Sequence, residues 1–140
     1  RFERGRVERP FEAMSEPLRP FNTSDATLHA DGWKSPDTYS REFGEIPRDA
    51  GIYIIASVQL DPLQEDYMQF EIAYIGMSKN LLGRAKRTHP AMRYVIDSGR
   101  HAKRFFKLHD PSSLRSEERR LIRLFRPTLN VMGNGRLTHE

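Results

Sequence analysis

The spacing of apolar residues changes several times along the chain, and each change marks an element. Gly51-Ile52-Tyr53-Ile54-Ile55 is β-branched and aromatic, follows the turn-forming stretch Pro47-Arg48-Asp49-Ala50 and runs out at Asp61-Pro62, which predicts a strand. Phe70-Glu71-Ile72-Ala73-Tyr74-Ile75, stopped by Gly76, predicts a second. The charged link from Asp61 to Gln69 is short enough for an antiparallel partner, giving a hairpin with a long solvated loop. Beyond Gly76, Ser78 or Asn80 can cap a helix whose apolar face is Leu81, Leu82 and Ala85. Gly83 weakens that helix and signals a close approach to its backbone. Pro90 ends it or begins the next, in which Met92, Val95 and Ile96 stand at helical spacing. Gly99-Arg100 is a turn, and Ala102 to Leu108, with Phe105 and Phe106, is a third strand. The last helix opens at Pro111-Ser112-Ser113, with Ser112 or Ser113 as its cap, and ends at Arg126-Pro127. Its apolar stripe is Leu114, Leu121, Ile122 and Phe125.

The flanks are less periodic. Residues 1 to about 32 are rich in Arg, Glu, Pro and small polar residues and predict an extended arm with local turns or a short helix. Phe2, Phe11, Leu18 and Phe21 are too irregular for a helix face but can staple the arm to the domain. Trp33, Tyr39 and Phe43 then cluster as residues packing under a sheet edge would. The tail from Asn130 to Glu140 reads as a partly ordered strand or coil. Residues 1–46 are therefore arm and lead-in, and 47–140 one domain. The expected fold is α/β: a small three-stranded, mainly antiparallel sheet flanked by three helices.

Composition narrows the class. A chain of 140 residues with 37% hydrophobic and 30% charged residues builds one ordinary core. No apolar run reaches the length of a membrane span and no signal peptide is recognisable, so an intracellular place, cytoplasmic or nucleoid-associated, is expected. The start at Arg1 rather than Met suggests processing or excision from a longer chain. With no cysteine, any metal must be held by carboxylate, imidazole or water.

Charge is unevenly spread. Between Met77 and His109 nine Lys or Arg stand against the single acid Asp97, a local charge of +8 that leaves −4 for the rest of a chain whose total is +4. Lys79, Arg84, Lys86, Arg87, His89, Arg93, Arg100, His101, Lys103 and Arg104 are the candidate contacts to a polyanion, with DNA favoured over a merely solvated basic face.

One carboxylate stands out. Glu118 falls four residues after Leu114, inside the core-facing stripe of the last helix. There it must be paired, protonated or bound to a cation, since burying it bare costs several kcal/mol. Glu117 should instead face solvent or pair with Arg120, three residues on.

Each strand tyrosine, taken alone, reads as a core residue with its hydroxyl tied off. Taken together, Gly51-Ile52-Tyr53 and Tyr74-Ile75-Gly76, followed by Ser78, Asn80-Leu81, Arg84, Glu118 and Pro127-Thr128-Leu129-Asn130, resemble the signature of the GIY-YIG nuclease superfamily over roughly residues 47 to 131. The resemblance implies a metal-dependent DNA endonuclease with a site of Tyr53, Tyr74, Arg84, Glu118 and Asn130. Glu118 would hold one Mg²⁺ or Mn²⁺, Arg84 would contact the scissile phosphate, and the tyrosines would orient or deprotonate the attacking water. Asn130 would support the site by hydrogen bonds.

Three departures bear on proton transfer. Many members carry His four positions after the Arg, where this chain has Thr88 and then His89; some carry Lys three positions after the second Tyr, where it has Met77; and the link between the tripeptides is longer than in most. His89 or His101 is the candidate replacement, with a proton path through water as the alternative. The competing expectation is a catalytically inactive nucleic-acid-binding or scaffold domain of the same fold.

Overall fold

Odd and even residues of the first strand are both buried, Tyr53 and Ile55 on one side and Ile52, Ile54 and Ala56 on the other. A strand covered on both faces must be central, and it is. In the computed structural model, which describes residues 23–37, 45–60 and 68–133, β1 (Gly51–Leu60) lies between β2 (Met68–Ser78) and β3 (His101–Leu108), antiparallel to both. Tyr53 stands opposite Gly76 on β2 and Phe106 on β3. A bulge at Ile55/Ala56 leaves Ala73 as the extra residue of β2, and Ala73 and its neighbour Tyr74 both join the core on the Tyr53 side.

Helices cover both faces. On the Tyr53 side lie α2 (Leu81–Arg84), α3 (Pro90–Asp97) and α5 (Thr128–Gly133), which bury Leu81, Met92, Val95 and Leu129 against Tyr53, Ile55, Tyr74 and Phe106. On the other side lie α1 (Asp25–Ala30) and α4 (Leu114–Phe125), which bury Leu28, Leu114 and Leu121 with Trp33 against Ile52, Ile54, Ile75 and Phe105. The described residues thus form five α-helices where the sequence predicted three, and a sheet that is antiparallel throughout. The two others are short, and α1 is the short helix the sequence allowed within the arm. Ser24 caps α1, its Oγ accepting from the Thr27 N–H at 3.0 Å. α5 begins before the tail from Asn130 that was expected as strand or coil and takes in its first residues; under two turns long, it carries no readable period and is fixed by Leu129 in the core and by a side-chain bond from Asn130.

Of the expected caps, Asn80 is in place, whereas Ser113 stands at the start of α4 without a side-chain cap bond and Asp110 instead accepts from the Ser112 N–H at 2.9 Å. Asn80 Oδ1 accepts from the Gly83 N–H at 3.2 Å, so the approach to Gly83 is by its own cap: a Cβ there would stand 3.1 Å from Asn80 Nδ2. Pro90 begins α3. The stapling of Phe2, Phe11, Leu18 and Phe21, the placement of Tyr39 and Phe43, the 61–67 part of the hairpin link and the tail beyond 133 lie outside the described residues.

Candidate functional site

Both tripeptide glycines are explained by close approach. A Cβ on Gly76 would stand 2.5 Å from the Tyr53 hydroxyl, and one on Gly51 would stand 2.5 Å from the Lys107 carbonyl oxygen. Gly76 is therefore the floor across which the Tyr53 ring lies. The Tyr53 and Tyr74 centroids are 6.1 Å apart, and His89 completes the group at 5.5 Å from Tyr53 and 5.1 Å from Tyr74.

His89 is oriented by both ring nitrogens. Nδ1 accepts the Ala91 backbone N–H at 3.0 Å, capping α3. A backbone N–H can only donate, so Nδ1 carries a lone pair and the neutral ring has its proton on Nε2. That Nε2–H donates to Tyr53 Oη at 3.0 Å. A donor aimed at a phenolic oxygen stabilises negative charge there. His89, rather than His101, therefore stands beside Tyr53; His101 lies opposite Val58, at the far end of the β1/β3 pairing. The expectation that His89 touches phosphate at the surface is corrected: at 4% exposure it is a core residue.

Asn130 acts on the backbone. Its Oδ1 accepts the Ile75 N–H at 2.7 Å and its Nδ2 donates to the Ile75 carbonyl at 3.0 Å, so the amide pairs with the outer edge of β2 as another strand would. Thr128 Oγ1 donates to Glu71 Oε2 at 2.9 Å, a second tie between α5 and β2. Asn130 thereby fixes the residue next to Tyr74.

Glu118 is half-buried on α4, the helix whose apolar stripe covers the face opposite the tyrosines. Among the described residues it has no hydrogen-bond or ion-pair partner. Burial pushes its carboxyl above the usual range, against the opposing pull of Arg115 and Arg119. The salt bridge considered for it is absent among the described residues, whereas Glu117 takes Arg120 as predicted, through bonds of 2.9 and 2.7 Å. Arg84 ends α2, the helix anchored by Leu81 beneath the tyrosines. The structure thus brings together Tyr53, Tyr74, His89 and Asn130, with Arg84 on a helix packed against the same strands, while Glu118 stands on α4 in the other layer.

The expected nucleic-acid contacts divide. Lys79, Lys86, Arg87, Arg93 and His101 are exposed, and Arg84 and Arg100 are partly so. Lys103 and Arg104 are corrected to structural ties. Lys103 Nζ donates to Asp25 Oδ2 at 2.6 Å, holding α1 to β3. Arg104 makes a two-pronged pair with Asp37, Nε to Oδ2 at 3.0 Å and Nη2 to Oδ1 at 2.8 Å, and its Nη1 donates to the Ala85 carbonyl at 3.1 Å. Burial pushes the Asp37 carboxyl up, but the hydrogen bonds from Arg104 and the charges of Arg104 and Arg87 outweigh it and hold the group below its ordinary value.

The sequence left the replacement for the missing proton-transfer group open between His89, His101 and water, and did not point to a partner for Tyr53. The readable signal was local, since a polar residue directly before a helix-opening proline is a capping position. Among the described residues no cluster of three metal-ligating side chains occurs, and no helix is long and apolar enough to cross a membrane. No protein-family profile, curated protein or solved structure was found to match the chain.

Proposed function

We propose that the chain is a GIY-YIG-type, metal-dependent DNA endonuclease whose reacting groups gather around Tyr53. The observation that carries this reading is the convergence of Tyr53, Tyr74 and His89, from β1, β2 and the start of α3, with His89 donating to the Tyr53 oxygen. Arrangements of this kind suit proton removal from water, because an oxygen already accepting one fixed donor is prepared to hold charge. In the reaction the Tyr53 oxygen, as phenolate, takes a proton from a water whose oxygen forms a new bond to phosphorus, while the bond to the leaving sugar oxygen breaks with its electron pair on that oxygen, which takes a proton from solvent. Arg84 binds the phosphate through the paired donors of its guanidinium. Asn130 holds Ile75, and through it the position of Tyr74.

The donor chemistry of Glu118 fits Mg²⁺ or Mn²⁺: a half-buried carboxylate without a partner among the described residues, of the kind that binds such an ion with water and phosphate oxygens completing the shell. When bound, such an ion neutralises charge on the phosphate and on the departing oxygen.

A second reading is favoured by a different observation. Tyr53 and Tyr74 are only 1% and 2% exposed, as expected of core tyrosines in a nucleic-acid-binding domain without turnover. Catalysis requires that one water reach the Tyr53 oxygen, not that the ring be open. Supercoiled plasmid separates the two readings. Nicking with Mg²⁺, absent with EDTA and with Glu118→Ala, is expected of the enzyme. An intact plasmid in all three, with retained binding, would make the chain a binding domain.

A further inference from the structure

We infer that α4 carries a second nucleic-acid track, formed by Arg115, Arg119, Arg123 and Arg126, that holds the phosphate backbone alongside Glu118. The inference rests on the nucleic-acid partner proposed above, though not on turnover. These residues recur at intervals of three and four, so they share one side of the helix and the turn that follows it. All four are exposed, and among the described residues none of their guanidinium groups has a hydrogen bond or ion pair, Arg126 being bonded through its backbone N–H to the Ile122 carbonyl alone. On the same helix Arg120 is held by Glu117, and on β3 Lys103 is held by Asp25 and Arg104 by Asp37, whereas Lys79, Lys86 and Arg93 stand exposed like the ridge.

The ridge works against the helix that bears it. Like charges four residues apart cost about 0.2–0.5 kcal/mol per pair. Arg115 also sits in the first turn, where the helix dipole disfavours a cation. A polyanion resolves both conflicts. Arg115 to Arg123 covers about 12 Å of helix axis, which matches three or four phosphates of one strand at about 3.4 Å each.

Position connects this ridge to the proposed chemistry. Arg115 and Arg119 are the cations acting on Glu118. Arg126, in the left-handed conformation at φ 49°, turns the chain into α5 and the Asn130 amide beside Tyr74. A strand following the ridge would therefore run from the carboxylate towards the tyrosines. Lipid fits less well, because among the α4 residues outside the core Leu124 is the lone exposed large apolar side chain.

The test is anisotropy of a labelled short duplex in EDTA, between about 50 and 200 mM KCl, with unchanged protein, Arg115→Ala/Arg119→Ala/Arg123→Ala, and Arg120→Ala. Arg126 is left intact because its backbone is strained. Each lost phosphate contact lowers the slope of log K against log salt by about 0.9. The triple variant should therefore lose about 2 to 3 of slope and bind at least tenfold more weakly, while Arg120→Ala matches the unchanged protein. Thermal melts should show the triple variant folded, with no loss of midpoint. An unchanged slope, an equal loss with Arg120→Ala, or the absence of duplex binding overturns the inference; so does tighter binding to anionic vesicles than to duplex. Because EDTA removes cleavage from the measurement, a protein that binds as expected yet never nicks plasmid defeats the catalytic reading and leaves the ridge standing.

Discussion

Replacing Gly76 by Ala tests why the second tripeptide ends in glycine. The added Cβ would stand 2.5 Å from Tyr53 Oη. Comfortable heavy-atom contacts begin near about 3.5 Å, so the tip of the ring must retreat by about 1 Å. It has nowhere easy to go, being 1% exposed, bonded to His89 at 3.0 Å and flanked by Tyr74. Overpacking of this kind costs about 1–3 kcal/mol, and stretching the His89 bond past its useful length forfeits about 1 kcal/mol more. The expected loss is about 2–4 kcal/mol, a large part of the 5–15 kcal/mol typical of a domain. Urea unfolding followed by Trp33, the single tryptophan, buried on the opposite face, reads this directly. At a slope of about 1–3 kcal/mol/M the midpoint falls by roughly 0.7–4 M. The control is Tyr53→Leu, whose side chain lacks the ring atoms that meet the new methyl. In that background Gly76→Ala should cost under about 0.5 kcal/mol, a coupling of about 2 kcal/mol or more. Equal costs in both backgrounds, or a Gly76→Ala protein as stable as the original, would refute the reasoning.

Asp37→Asn should cost about 2 kcal/mol at neutral pH, by removing charge-assisted bonds to a half-buried Arg104. Because the folded Asp37 carboxyl titrates below its ordinary value, its contribution is present above about pH 4 and is lost as pH falls through the folded value; melts should show the gap closing in acid. Glu118 has the opposite sign. Its raised value means that the ionised form opposes folding, so Glu118→Gln should raise the melting temperature at pH 7, lose that advantage below the carboxylate range, and abolish plasmid nicking; a lower melting temperature at pH 7 would contradict the assigned burial. Asn130→Ala removes two bonds worth about 1 kcal/mol each and should lower the urea midpoint accordingly, with the largest loss of amide-exchange protection at Ile75.

The elements with strong periods were legible. All three strands, the Asn80 cap, the helix at Pro90 and the stripe of α4 follow from local rules of turn, cap and spacing, and the Glu117–Arg120 pair from helical proximity. Less legible was whatever depends on long-range partners. Asp37 takes Arg104 across 67 residues, which turns an apparent DNA contact into a brace. His89 is polar by composition and buried by its partners, one of them 36 residues away. α5 is too short to show a period, and its anchoring reaches back 55 residues to Ile75. The α4 arginines were hidden by averaging, because acids elsewhere outside the Met77–His109 stretch cancelled them in the charge count.

The amide of Asn130 has a consequence beyond the site. β2 is an outer strand, and an outer strand with free backbone groups is a template on which another chain can pair. By occupying both the N–H and the carbonyl of Ile75, Asn130 withdraws the middle of that template. A side chain usually read as a helper of chemistry thereby also blocks edge-to-edge aggregation, and its loss should make the protein stick to itself.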